Sequence, residues 1–400
     1  MISINLGKKK TNFIFAKTVK KLMRNFIIIL ISLIVSISCN NPLSITQKQH
    51  KEEFKYRKLS KSEKKIYQTK SEILYHQLLE RTGFNGGILI AKNGEIIFEK
   101  YNGFSNFKSK EPITSITPFH IASVSKTFTA MAILRLWEQG KLNISDSLQQ
   151  FFPSMPYHNI TIQDLLSHRS GLPNYVYFSD TAFKKNSRVT NQDVLNFMVN
   201  AKPELYAKPN KFFHYCNTNY ILLALIIEKT TGMSYPNYMK DSIFNPIGMK
   251  NSFVFSIKDT NNYNPSYGYN NQPYNLENID CIYGDKNIYS TVQDLFSWDK
   301  ALYNNSIVSY ATYRKAIIPY SNERITHHNY GLGWRLLMSN DDTTVYHNGW
   351  WHGNNSVFVR LLKDTATIIT LGNKYNRSIY STAKMSNLFS TPKNEEDLEE

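Results

Sequence analysis

Two side chains that together can open an acyl bond stand one helical turn apart in HIASVSKTFTAM (residues 120–131): Ser123 and Lys126. A serine hydroxyl is a weak nucleophile until a neighbouring base takes its proton. A lysine kept from water can be that base, because desolvation disfavours its charged form. The i, i+3 spacing puts both groups on one helix face. A serine at a helix start gains a second advantage, since the first-turn N–H groups are unpaired and can bind a developing oxyanion. Spacing alone does not select this pair, because S-x-x-K tetrads also begin at Ser62, Ser105, Ser297, Ser381 and Ser390. Context does. The tetrad at Ser123 follows the extended stretch PFHIA and opens an apolar helical run, Val124, Phe128, Met131, Leu134 and Trp137, with Gly140 as its stop. Ser62 lies in a polar stretch, Ser105 follows a hairpin, and the tetrad at Ser390 contains Pro392.

Two further groups extend this chemistry. Tyr215-Cys216-Asn217 directly precedes the apolar helix YILLALIIEKTTG. A tyrosine near an ammonium can serve as a general base, and an asparagine amide can hold a substrate carbonyl. Six other Y-x-N triplets occur, from Tyr157 to Tyr346, so context again selects. His347-Asn348-Gly349 ends the candidate strand TTVY and leads into Trp350-Trp351-His352. Gly349 is expected to let a substrate backbone approach the strand edge, and the Trp350 N–H to be a second oxyanion donor beside that of Ser123.

These groups need a scaffold. GGILIAKNGEIIFEKYNG reads as two strands about Asn93-Gly94. Helices are expected at TIQDLLSH, TNQDVLNFMVN, TNYILLALIIEKTTG and STVQDLFSWDKALY, the last with Ser290 and Gln293 in capping-box spacing. Strands return at GLGWRLLM, TTVYHNG, NSVFVRLL and TATIITLG. The expected class is α+β: an antiparallel sheet formed from the N- and C-terminal segments and flanked by helices, with an inserted, mostly helical region and a cleft between.

With S-x-x-K, Y-x-N and H-x-G in this order, the chain resembles the serine β-lactamase-like, penicillin-recognising hydrolases. Within them it is most similar to class C β-lactamases, D-alanyl-D-alanine carboxypeptidases, D-aminopeptidases and related esterases. LLSHRSGLPNY (165–175), GDKNIYSTVQDLFSW (284–298) and YGLGW (330–334) are similar to the family too, and the resemblance spans roughly residues 75–375. It implies a β-lactamase/transpeptidase-like fold and no cofactor. It implies that Ser123 forms an acyl-enzyme, that Lys126 and Tyr215 share the proton work, and that Asn217 orients the acyl side chain. The substrate it implies is a small molecule or short peptide, most simply a D-amino-acid peptide or ester, with peptidoglycan-derived peptides and β-lactams among the candidates. His347 stands where many β-lactamases have lysine. A neutral histidine gives a β-lactam carboxylate no permanent cation, which favours a peptidase or esterase over an efficient β-lactamase. Cys216 replaces the usual small Ser or Ala. The alternative is a non-catalytic or slowly acylated sensor of penicillin or peptidoglycan on the same fold.

The formal charge of +16 suggests nucleic acid, but seven Lys/Arg fall within residues 1–38, which hold no acid. No repeated finger, RNP-like run or basic recognition helix accompanies it, so no nucleic-acid partner is expected. Residues 1–38 read as a signal peptide, with Met23 an alternative start, ending at Ser38-Cys39. Cys39 is the expected lipid-attachment site, which would hold an exported chain on the cell-envelope membrane. Residues 39–70 read as a polar tether that turns helical towards SEILYHQLLE, 71–392 as the hydrolase domain, and 393–400 as an acidic tail. His327, His328 and His352 come without metal-ligand spacing, so no metal is expected. Cys216 and Cys281 are not expected to form a bridge. His168 is read as shaping a turn.

Overall fold

The computed structural model describes residues 54–184, 187–259, 263–324, 326–339 and 342–389. The readings of residues 1–38, Cys39 and the 393–400 tail lie outside them. Asn93 and Gly94 both take positive φ, 50° and 74°, and join β1 (Gly86–Lys92) to β2 (Glu95–Asn102). A turn with two left-handed residues matches the twist of such a tight hairpin, and Asn-Gly adopts it readily. Two short strands, β3 (Phe104–Asn106) and β4 (Glu111–Pro112), pair beyond it.

The chain then leaves the sheet for a mostly helical region. Three short strands there, β5 (Phe119–His120), β6 (Phe253–Val254) and β7 (Ile288–Ser290), pair in the order β5-β7-β6. It returns as β8 (His328–Tyr330), β9 (Arg335–Met338), β10 (Thr343–Trp351), β11 (Asn354–Leu361) and β12 (Ala366–Gly372). The main sheet runs β2-β1-β12-β11-β10-β9-β8, antiparallel throughout. Strands from the two ends of the domain therefore meet at β1 and β12, as the alternation of the sequence predicts.

Every residue of β1, β11 and β12 is buried, because both faces of the sheet are covered. Leu89 and Ala91 face the helical region, while Ile88 and Ile90 face the terminal helices. The helix Asn217–Thr231 is buried on all sides from Thr218 to Ile227, apolar from Tyr220 to Ile227, and ends at Gly232 with φ 69°. Phe128 of the helix Ser125–Glu138 stacks on Trp298 at 4.2 Å.

Two local expectations are corrected. The polar stretch read as tether up to residue 70 is helical from Lys61, a helix running to Leu78 and packing on the sheet through Tyr75. Its charges hid it, with Ile66 and Ile73 left exposed, and the visible signal was the Ser60/Glu63 capping box. The helix Val292–Tyr303 is capped by Thr291, which accepts from the Asp294 N–H. Ser290 instead ends β7, and Asp294 is held by Ser252 and the Asn251 N–H. Among the described residues, no helix is long and apolar enough to cross a membrane.

Candidate active site

Ser123 sits in a single 3-10 turn, Ala122–Val124, between β5 and the α-helix that begins at Ser125. Ala122 takes φ 47°, an uncommon conformation for a residue with a side chain, and this turns Ser123 towards the cleft. His120 supports the turn, its Nδ1 accepting the Ala122 N–H at 3.1 Å while its Nε2 meets Asn287 Oδ1 at 2.7 Å. Burial pushes the His120 imidazole down to about 4, so it stays neutral.

Lys126 is fully buried. Its Nζ lies 3.1 Å from Ser123 Oγ and 2.8 Å from the main-chain oxygen of Asp285. The ammonium stands 5.0 Å from the centre of the Tyr215 ring, and the Arg335 guanidinium 5.1 Å from it. Negative charge on the phenol oxygen would thus be met by two cations. A cleft of about 600 Å³ gathers Ser123, Tyr215, Asn217, Gly349 and Trp350, together with Asp285 and Arg335. Six of the seven residues singled out in the three motifs meet at this cleft, counting Lys126 through its bond to Ser123.

The tyrosine motif is fixed from beneath. The Cys216 N–H donates to His168 Nδ1 at 3.1 Å, and the Cys216 thiol to the Leu172 carbonyl at 3.3 Å. Thr218 Oγ1 donates to Pro173 O and accepts from Tyr175 N. Cys216 is thus a packing thiol. Burial pushes it up to about 11, and both it and Cys281 are free. His168 does turn the chain, with φ 57°, but its ring also packs against that of Tyr215, the centres 4.2 Å apart and the planes tilted by 37°, a role the sequence reading missed.

The third motif differs from expectation in two places. The His347 ring is buried, with Nδ1 donating to the Asn348 carbonyl at 2.8 Å and Nε2 meeting the Tyr330 hydroxyl at 3.2 Å. It does not line the cleft, so it holds the strand rather than a substrate; strand alternation sends Asn348 and Trp350 outward instead. Burial, with Arg335 and Lys126 nearby, keeps this imidazole far below its usual range. Gly349 is also buried, and its missing side chain makes room for the protein itself. A Cβ there would stand 2.5 Å from the Ile121 carbonyl and closer still to Ser356 Oγ. β10 can therefore lie directly against the turn that carries Ser123. Gly349→Ala is expected to cost about 1–3 kcal/mol by overpacking and to slow acylation of Ser123 at least tenfold. Thermal melting and labelling kinetics with a fluorophosphonate check this.

One edge of β10 remains open. β9 covers it only through Tyr346, which pairs with Arg335, while β11 continues on the other side to Trp351. The free edge from His347 to Trp351 is where an extended substrate could add as a strand. Arg335 went unpredicted because it becomes part of the site through this register alone; its only sequence signal was its place directly after YGLGW. Trp350 is 62% exposed, its indole N–H tied to the His352 carbonyl. His352 itself pairs with Asp280, and among the described residues no cluster of His, Cys, Asp and Glu is placed to hold a metal.

A family model described as Beta-lactamase matches residues 74–383. Penicillin-binding protein 4* of Bacillus subtilis (strain 168) is 33% identical over 329 residues, which cover 78% of this chain and 73% of that protein. The putative penicillin-binding protein PbpX of the same organism is 28% identical over 301 residues, covering 72% of each. Among solved structures, the octameric penicillin-binding protein homologue from Pyrococcus abyssi superposes with a TM-score of 0.69 at 27% identity, over 82% of this chain and 78% of that one. The penicillin binding protein from Bacillus halodurans also gives 0.69, at 24% identity over 78% and 98%, a likeness of fold.

Proposed function

The chain belongs to the Beta-lactamase family, and from that premise we propose that it is a serine hydrolase working through an acyl-enzyme at Ser123 on a D-amino-acid peptide or ester. The observation that carries this is the 3.1 Å approach of Lys126 Nζ to Ser123 Oγ within an open cleft. Held at its tip by the Asp285 carbonyl, Lys126 is the group within reach of the Ser123 proton. The hydroxyl oxygen then bonds to the acyl carbon, and the carbonyl π electrons move onto oxygen. The N–H groups of Ser123 and Trp350 receive that oxyanion. Tyr215 passes a proton to the departing nitrogen or oxygen, the acyl–leaving-group bond breaks, and Asn217 holds the acyl side chain. Water repeats the sequence on the ester, with the same groups acting in reverse, and frees Ser123.

Arg335 supports a substrate that carries a carboxylate beyond the scissile bond, the cation that His347 does not supply. Arg335→Ala is expected to raise KM for carboxylate-bearing peptides tenfold or more, since a hydrogen bond to a charged group is worth about 1.5–3 kcal/mol. Turnover of a neutral ester should change little. Paired kinetics on D-alanyl-D-alanine peptides and on their methyl esters measure the difference, and equal losses on both would remove Arg335 from carboxylate recognition.

The names of the relatives favour one second reading, a slowly acylated penicillin-binding sensor. Turnover separates the two: hydrolysis of a D-alanyl-D-alanine peptide or its ester supports the hydrolase, and a persistent penicillin adduct at Ser123 with no such hydrolysis supports the sensor. Export and lipid attachment at Cys39 rest on the sequence pattern alone. Metabolic labelling with palmitate, lost in Cys39→Ala, tests that attachment.

A further inference from the structure

Lys286 takes no part in the chemistry above. It is buried, yet it borders the cleft beside Asp285. Placing an ammonium out of water is costly, and a buried ion pair seldom adds stability over apolar residues of the same size. The Asp285 carboxylate stands 3.9 Å away, beyond hydrogen-bond reach. The link between them is one phenol. Tyr175 Oη accepts from Lys286 Nζ at 2.5 Å and donates to Asp285 Oδ2 at 2.9 Å. Lys286 Nζ also lies 4.8 Å from the Trp351 indole and 5.1 Å from the Tyr175 ring. The main-chain oxygen of the same Asp285 is the acceptor for Lys126.

We propose that Tyr175, Lys286 and Asp285 form a brace whose task is to fix the Asp285 carbonyl and, through it, to hold Lys126 against Ser123. This rests on the reading of Lys126 as the base for Ser123. A lysine has four rotatable bonds, and the hydrogen bond to Asp285 removes that freedom at its tip. The helix grips the same loop from its own side. Thr129 Oγ1 donates to the Gly284 carbonyl at 2.6 Å, and Ser125 Oγ accepts the Ile288 N–H at 3.1 Å. Gly284, at φ 100°, lets this loop lie on the central helix, where a Cβ would stand 2.8 Å from that of Ala224. These contacts set where the loop runs, and the phenol sets how the peptide group at Asp285 is turned. The charged and titratable groups facing Lys286 are Asp285, Asp280, Lys126 and Cys281. Burial lowers its affinity for a proton, while the two aspartates oppose that. All three brace residues are positioning residues.

Tyr175→Phe removes one oxygen and leaves the ring. In the full chain, its labelling rate with a fluorophosphonate should fall at least tenfold. With a D-amino-acid ester, kcat should fall similarly and KM move less than twofold. In a Lys126→Ala background, the same change should add less than twofold, because two groups acting through one contact are not additive. An unchanged labelling rate in Tyr175→Phe overturns the brace. So does a full multiplicative loss in both backgrounds, or a rise in KM with kcat unaltered. Wild-type labelling by Lys126→Ala alone would instead remove the base on which the proposal stands. Circular dichroism establishes folding, and Lys286→Met carries the same test should Tyr175→Phe not fold.

Discussion

Ser123→Ala is expected to abolish covalent labelling by a fluorophosphonate and to lower any hydrolysis by at least about 10⁴-fold, the scale seen when a catalytic serine is removed. The fold should survive. The Ser123 hydroxyl contributes one hydrogen bond, to Lys126, worth about 1 kcal/mol. Lys126 keeps the Asp285 carbonyl, and the turn at Ala122–Val124 is held by His120 and by the packing of Gly349 rather than by the serine side chain. Intact-mass spectrometry with peptide mapping reads the result directly. An adduct of unchanged stoichiometry on Ser123→Ala would place the nucleophile elsewhere and end the mechanism given above.

A loss of stability in mild acid is the second large effect. Desolvation holds the imidazoles of His120, His168 and His347 below their usual range, so all three are neutral in the folded chain. In the unfolded chain they titrate near the ordinary value of about 6.5. Below that pH the unfolded state binds protons that the folded state refuses. Stability is therefore fully present above pH 6.5 and falls as the pH drops towards the folded values. Each histidine costs on the order of 1 kcal/mol by pH 5.5, and the three act in the same direction. Asp164 and Asp294, whose carboxyls burial pushes up, return a part of this. Against a typical total of about 5–15 kcal/mol the loss is severe. Urea midpoints at pH 8 and pH 5.5 measure it, and coincident midpoints would mean that these imidazoles are not buried neutral.

The sequence made the site legible where a short motif carries both the reacting residue and its local geometry. Ser123 and Lys126 share a helix turn, and Tyr215 and Asn217 share a helix start, so spacing and apolar periodicity located them. Asn93-Gly94 announced its hairpin for the same reason: the turn is specified by the two residues that make it. What escaped depends on contacts between distant segments. Arg335 enters the cleft only through the pairing of β9 with β10. Gly349 was recognised as a close approach, but that Ile121 and Ser356 are among the groups that approach it could not be read from the sequence. His347 was read as facing the cleft, because one strand does not reveal which face is covered. The helix from Lys61 to Leu78 was obscured by its own lysines, since a helix with a narrow buried stripe shows little periodicity.

The pairing of β1 with β12 bears on when, in the life of each molecule, the proposed activity could begin. Ser123 and Lys126 leave the ribosome early, but the strand that must lie against their turn comes late, and the sheet closes only with Gly86 opposite Gly372. Contacts so far apart along the chain form slowly. A nascent or truncated chain can hold its serine and lysine on one helix and still be chemically silent. For the serine hydrolase proposed above, the chemistry would wait for the last strand of its own sheet.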